Sequence, residues 1–427
     1  VRSIRKWDLV ALLVNSIIGA GIFGLPGTIY NLAGVYSVLS FFVGALVTAA
    51  IVLCFAEVGS RFSATGGPYL YAYEALGPVI GFQIGWLAWL TRVTAYAALC
   101  NLFVIYLGYF WAPVTVGWWR TGLITGTFIA YLVVNLVGVR DAVLVNNLLT
   151  VGKLVPLLLF IVVGFFFVNR LNFAGNFQPS FRDFSVSTVL TFYAFSGFEN
   201  AGVVAGETHN PRRDLPFGLV FSLLLVTVFY VSIQVVCIGT FPGLAHSERP
   251  LADASLRFWG QGGASLIALA GVISTAGTMN AAFLAAPRVL FAMAERGQLM
   301  TGFAATHRRF HTPYIAIFSS GVVMLALTLS GTFISMAKLT TIIRLLTYIS
   351  TCAALPVLRR REGQLPAMFR LRAGSAVSTV AIVLCVVLLS TSSLGEAGAV
   401  GVAIAIGLGL YIAQGSRKRR SVTADPG

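Results

Sequence analysis

"NSIIGAGIFGLPG", residues 15–27, places four glycines (Gly19, Gly21, Gly24 and Gly27) within nine positions of an otherwise apolar run. The run is long enough to cross a bilayer, yet glycine costs a helix interior up to about 1 kcal/mol relative to alanine. Within lipid, freed backbone is tolerated only where protein or a polar cavity satisfies it. The cluster therefore predicts a broken helix. A break exposes N–H groups at the start of its second half, suited to a carboxylate, and C=O groups at the end of its first half, suited to an ammonium or a cation. Two such breaks facing each other hold both ends of a zwitterion without a charged side chain. Close helix packing through small residues is the competing explanation of the same glycines.

The composition sets this stretch in a membrane. Of 427 residues, 57% are hydrophobic and 10% charged, with a mean hydropathy of +0.87; about a quarter would be charged in a soluble domain. Apolar runs of about 20 residues recur along almost the whole chain. They predict an all-α protein of about twelve transmembrane helices between residues 8 and 415, a single transmembrane domain over 1–427. The first span is 8–31, the fifth 146–168, the sixth 184–206, the eighth 262–294 and the tenth 333–357. The basic start Arg2-Ser3-Ile4-Arg5-Lys6 has no convincing cleavage site after it, so the first run is expected to be a transmembrane helix rather than a signal peptide.

A net charge of +15 raises nucleic-acid binding, but the basic residues lie mostly between apolar runs and no base-stacking motif accompanies them, so no nucleic-acid partner is expected. With the N-terminus in the cytoplasm, nineteen basic residues fall inside, among them Arg61, Arg140, Arg359 to Arg361 and the tail Arg417 to Arg420. Five (Arg120, Arg170, Arg182, Arg249 and Arg257) fall outside. Both termini are thus expected to be cytoplasmic. The five cysteines are scattered through apolar segments, and the four histidines (His209, His246, His307 and His311) fall in predicted loops. No disulfide framework, metal site, cofactor or membrane-embedded enzyme is expected. A channel would need a continuous polar lining, which these spans lack.

The sixth span repeats the feature of the first. "FYAFSGFENAGVVAGE", residues 192–207, puts Ser196-Gly197 and Glu199-Asn200 mid-membrane. Spans 1 and 6 are five apart, and a five-span unit repeated once is necessarily inverted. Paired interrupted helices in inverted repeats point to a transporter binding site. A transporter of six-plus-six organisation would not pair span 1 with span 6. A non-transporting sensor, or a light chain partnered with a glycoprotein, remains open from sequence.

"GAGIFG" (19–24), "GGPYLYAYEALG" (66–77), "FSGFEN" (195–200) with "GETHNPRRDLP" (206–216), and "RLLTYISTCAALPVLRRR" (344–361) together resemble the amino acid permeases of the amino acid-polyamine-organocation superfamily, in particular prokaryotic members with a lysine in the fifth helix. The resemblance implies the leucine-transporter fold with broken helices 1 and 6. Its repeats would be 8–168 and 184–357, followed by helices 11 and 12 over 374–415 and a cytoplasmic tail at 416–427. It implies that N–H groups around Gly19, Ala20, Gly21 and Ile22 receive a substrate carboxylate, while carbonyls of Ile17, Tyr193, Ala194 and Ser196 receive the amino group. Tyr193 matches an aromatic that covers the site from outside, an ordinary packed aromatic being the alternative.

Lys153, in "NNLLTVGKLVPLLLF" (146–160), lies about seven residues into the fifth span, roughly 10 Å from its cytoplasmic end at 1.5 Å per residue. By resemblance its ammonium stands where sodium binds in sodium-coupled relatives. A permanently charged lysine suits exchange, and one that releases its proton suits proton coupling; snorkelling to the surface is the bland alternative. Ser274, Thr275 and Asn280 in "VISTAGTMN" (272–280) are candidates for the ion region and pocket, and hydrogen bonds to neighbouring carbonyls account for them equally well. Glu199 alone of fourteen carboxylates has long apolar flanks on both sides. A structural acceptor for freed backbone comes first among its roles, ahead of a proton-sensitive group or a partner for a cationic substrate. Arg92 and Arg344 are intramembrane without a legible partner, while Glu57 and Glu207 sit near cytoplasmic ends. The function expected is sodium-independent transport of neutral L-amino acids, by proton symport or exchange with a second amino acid, across a bacterial inner membrane. Cationic amino acids or polyamines are the second choice.

Overall fold

The computed structural model describes residues 4–62, 66–137, 142–174, 178–202, 207–361 and 366–423, with 142–150 and 415–423 described by backbone alone. Arg2, Arg140 and the basic tail Arg417 to Arg420 lie outside the described side chains. The helices run α1 (Lys6–Ile17), α2 (Ala20–Gly24), α3 (Pro26–Ala33), α4 (Ser37–Gly59), α5 (Gly67–Leu76), α6 (Pro78–Leu107), α7 (Gly117–Val137), α8 (Ala142–Phe165), α9 (Phe181–Phe195), α10 (Pro211–Thr240), α11 (Pro250–Glu295), α12 (Tyr314–Ser330), α13 (Phe333–Arg360), α14 (Gly374–Ser390) and α15 (Leu394–Thr423). Among the described residues, eight helical segments are long and apolar enough to cross a membrane, and three shorter apolar helices accompany them. Large exposed side chains such as Phe42, Leu46, Leu224 and Val228 have no protein neighbour to bury them, the surface expected of helices solvated by lipid.

The first predicted span is three pieces. Helix α1 stops at Ile17; Ile18 (φ −72, ψ 89) leaves helical geometry and Gly19 (φ −124, ψ −146) is extended. The chain turns helical again at Ala20 and passes through Leu25, itself in the helical region, into α3. The sixth span breaks likewise: α9 ends at Phe195, Ser196 is extended, Gly197 takes φ +119, and a short 3-10 turn covers Phe198–Gly202.

Two differences from the sequence reading have local causes. Helix α11 begins at Pro250, twelve residues before the expected 262, because proline suits a first helical turn; it kinks at Gly260, whose φ of 69 a side chain would disfavour. The stretch quoted as 66–77 carries its own helix α5, begun at Gly67 (φ +52) and stopped at Gly77 (φ +92).

Packing joins distant spans. Helix α6 lies against α11 and α13, α4 against α9 and α10, α1 against α10, and α8 against α11. Before α1, Ile4 pairs with Thr208 beyond the α9 break, with Ile4 N donating to Glu207 O at 3.1 Å and His209 N to Ile4 O at 2.9 Å. At the end of α4, Glu57 is fully buried. It accepts from Arg359 Nε and Nη2 of α13 (both 2.7 Å), Leu371 N (2.9 Å) and Arg61 Nη2 (3.2 Å), tying α4 to α13 and the chain beyond it.

The two breaks cross each other. A Cβ on Gly21 would stand 2.6 Å from Ala194 Cα, and one on Gly197 would stand 2.4 Å from Ser16 O. Gly21→Val and Gly197→Ala are therefore expected to cost about 1–3 kcal/mol or more through overpacking, whereas Gly126→Ala in α7, with open space around it, should be neutral. Thermal unfolding of the three purified variants checks this, and equal melting temperatures would contradict the crossing.

Candidate functional site

The carbonyls that α1 leaves without helical partners are accounted for nearly one by one, as buried backbone requires. Val14 O accepts from Ile18 N at 2.8 Å. Asn15 O and Ile18 O accept from Lys153 Nζ at 2.7 and 2.6 Å, and Ile17 O accepts from Tyr230 Oη at 2.9 Å. Lys153 is 5% exposed, so it does not snorkel. Its ammonium, projected from α8, caps the negative end of α1.

Tyr230 of α10 joins the two breaks. Besides Ile17 O, its hydroxyl lies 3.0 Å from Ala194 O at the end of α9, and its single proton serves one carbonyl at a time. Tyr193 O accepts from Ser196 N at 3.2 Å and from Ser196 Oγ at 2.5 Å. Three of the four carbonyls assigned to a substrate amino group by resemblance thus lie within reach of protein donors, which serve at most two of them at once. Each keeps a second lone pair. The Tyr193 ring packs edge-on against Phe333, with centroids 6.2 Å apart.

On the α2 side, Gly19, Ala20, Gly21 and Ile22 form the first turn after the break, where N–H groups have no helical acceptor. The α11 side chain at this point is Thr278: a Cβ on Gly19 would lie 3.9 Å from its Oγ1. Thr275 turns its hydroxyl onto its own helix, at Gly271 O (2.7 Å), and Ser274 Oγ is buried without a hydrogen-bond partner among the described residues, as is Asn15 Oδ1. Asn280 is half-buried on the same helix, and among the described residues no hydrogen bond ties it to either break.

Glu199 sits at the α9 break with two hydrogen-bond donors and an ion-pair partner. Its Oε2 accepts from Gly197 N (2.8 Å) and Tyr348 Oη (2.7 Å), and its Oε1 is 3.2 Å from Arg344 Nε. Arg344 also bonds Ser196 Oγ through Nη1. Arg344, one of the two arginines without a legible partner in the sequence, is the counter-ion of this carboxylate. Tyr230, Thr278 and Tyr348 were not legible as site residues, since a hydroxyl-bearing residue in an apolar span has no distinguishing pattern.

A family model described as Amino acid permease matches residues 4–409. The chain belongs to the amino acid permease family. This permease is 29% identical over 413 residues to the branched-chain amino acid permease BcaP of Bacillus subtilis, covering 91% of this chain and 87% of the relative. The serine/threonine exchanger SteT of the same species is 28% identical over 427 residues, 96% of each chain, and the mouse cationic amino acid transporter 4 is 28% identical over 388 residues, 86% of this chain and 61% of the relative. The relatives are transporters, and the permease is an integral multi-pass membrane transporter rather than an enzyme.

The Glu199 cluster yields a stability prediction. Glu199→Gln removes the charge opposite Arg344 in a largely buried pair, for an expected loss of about 3–5 kcal/mol. Tyr348→Phe removes one hydrogen bond to the carboxylate, for about 1.5–3 kcal/mol. Unfolding in detergent reads both, and a Glu199→Gln protein as stable as wild type would contradict the pairing.

Proposed function

We propose that this permease moves an L-amino acid by alternating access around the two crossed breaks, independently of sodium. The observation that carries the reading is the crossing itself, pinned by Lys153 on one break and bridged to the other by Tyr230. The substrate carboxylate would meet the N–H groups of Gly19, Ala20, Gly21 and Ile22, and its ammonium the carbonyls of Ile17, Tyr193, Ala194 and Ser196, with Tyr193 and Phe333 closing the site. Ser274, Thr275 and Asn280 are assigned to its α11 wall.

The packing supports twelve spans built on two inverted five-helix repeats, 8–168 and 184–357, with helices 11 and 12 outside them. Numbering α1–α3 as span 1 and α9 as span 6, exchange of the repeats turns the span 1 to span 7 contact into span 6 to span 2. It turns span 5 to span 8 into span 10 to span 3, and returns the contacts of 3 with 8 and 2 with 7 to themselves. Each of these packings occurs. The basic-residue asymmetry supports cytoplasmic termini, and the Bacillus relatives a bacterial cytoplasmic membrane.

Lys153 supplies a fixed cation where a coupling ion would otherwise be needed to neutralise the α1 carbonyls. A charge it keeps throughout favours exchange of amino acids, as the name of the serine/threonine exchanger relative describes, and a proton it releases during the cycle favours proton symport. The substrate side chain carries no positive charge, neutral amino acids being first: Glu199, the one carboxylate at the break, is already met by Arg344, Tyr348 and Gly197. Cationic amino acids and polyamines therefore rank second despite the cationic transporters among the relatives.

Uptake into proteoliposomes from sodium and from choline buffer tests the reading. Equal initial rates are expected, and Lys153→Ala should lower them at least about tenfold, the consequence of about 1.4 kcal/mol. A wild-type rate that depends on sodium would overturn it.

A further inference from the structure

Arg92 is the fifteenth of the thirty residues of α6, at mid-membrane depth. From 91 to 102 all the other residues of the helix are buried, while Arg92 is only half-buried. Its hydrogen bond from Nη1 to Ala88 O, at 3.3 Å, stays within its own helix, and among the described residues no carboxylate pairs with it. A guanidinium at this depth is costly unless it faces a polar path, and it marks function.

The neighbours of α6 fix which way Arg92 looks. One stripe of the helix meets α11 and α12: Gly85 approaches Met293, Trp89 Nε1 donates to Ser320 Oγ at 3.0 Å, and Tyr96 packs on Phe283. A second stripe meets α13: Ile84 and Leu87 cluster with Ile342 and Ile343, and Thr340 Oγ1 donates to Thr94 Oγ1 at 2.9 Å. At about 100° per residue, Arg92 falls on the arc between the stripes, so it opens into the seam between α11 and α13. That seam holds the breaks, since α2 packs on α6, α9 and α11, and α9 packs on α13. Arg92 accordingly interacts electrostatically with Glu199, Arg344 and Tyr348.

Arg344 pairs with Glu199, and Arg92 adds a second guanidinium to the same seam, so the group Glu199, Arg344 and Arg92 carries one excess positive charge. We infer that Arg92 is the specificity-determining residue of the transport site and receives the side-chain carboxylate of an acidic L-amino acid. The inference rests on the reading that main chain at the two breaks holds the α-carboxylate and α-amino groups, which leaves the side chain to reach Arg92, and it replaces the neutral side chain ranked first on Glu199 alone with an acidic one. A second carboxylate there brings the cluster to neutrality, and the guanidinium fork matches its two oxygens. An uncharged side chain leaves Arg92 hydrated, and a basic one adds a second uncompensated cation.

The test is uptake by the full-length protein in proteoliposomes of radiolabelled L-glutamate, L-aspartate, L-glutamine, L-asparagine, L-leucine, L-serine and L-arginine at one low concentration. Wild type is expected to take up one of the acids faster than its amide by at least about tenfold, the low end for a charge-assisted hydrogen bond. Arg92→Gln should erase that acid-to-amide ratio within a single preparation, and Arg92→Lys should keep part of it. Amide, leucine or serine uptake that equals or exceeds acid uptake in wild type would overturn the assignment to Arg92 and leave amino acid transport standing. An acid preference that survives in Arg92→Gln would also overturn it. Uptake of none of the seven would overturn both readings.

Discussion

A helix that stops inside a bilayer must find partners for the backbone groups it frees, and in this permease that constraint organises the centre of the molecule. The last turn of α1 ends against Lys153 and Tyr230, and the end of α9 against Tyr230 and Ser196. Neither break is satisfied by its own chain segment alone. Each needs side chains from spans remote in sequence, which makes the packing of α1 on α10 and of α8 on α11 a requirement of the breaks as well as a source of stability. Gly21 and Gly197 are the places where the two interrupted chains touch, so their missing side chains permit the crossing.

Around this crossing the charged groups fall into two layers. Beside the breaks, Glu199 is held by Gly197 N, Tyr348 and Arg344, so the α9 break is stiffened by α13. Near the ends of α4 and α13, Glu57 gathers Arg61, Arg359 and Leu371 N. Both layers fasten α13 to the broken-helix side of the molecule. Buried pairs of this kind add little net stability over apolar packing, but they are costly to break, which favours a small number of definite arrangements over a continuum.

Much of this was legible in the sequence for physical reasons. Glycine clusters and a Ser-Gly pair in apolar runs stand out because they oppose the helical preference around them; the first break falls at the leading edge of the 19–27 cluster and the second at Ser196-Gly197. Lys153 was legible because a charge flanked by apolar residues on both sides is rare and costly at that depth, though snorkelling was set aside only by its burial in the structure. Tyr230 and Tyr348 were not, because the chain has fourteen tyrosines and nothing in their local spacing separates a hydroxyl that caps a break from one that merely packs. The pairing of Arg344 with Glu199 joins two spans far apart in sequence, which no local pattern encodes. Thr278 rather than Asn280 flanks Gly19 for a similar reason: the helical phase of α11 against α2 depends on packing, and the kink at Gly260 shifts where that helix begins.

The central claim is that main chain at the two breaks holds both ends of the amino acid. It is tested most directly by calorimetric titration of the purified protein, in sodium-free buffer, with its best L-amino acid, the methyl ester of that amino acid and the analogue lacking the α-amino group. Binding of the parent with loss of at least about tenfold in affinity for each analogue, about 1.4 kcal/mol per lost contact, is the expected result. Equal affinity for all three would contradict it.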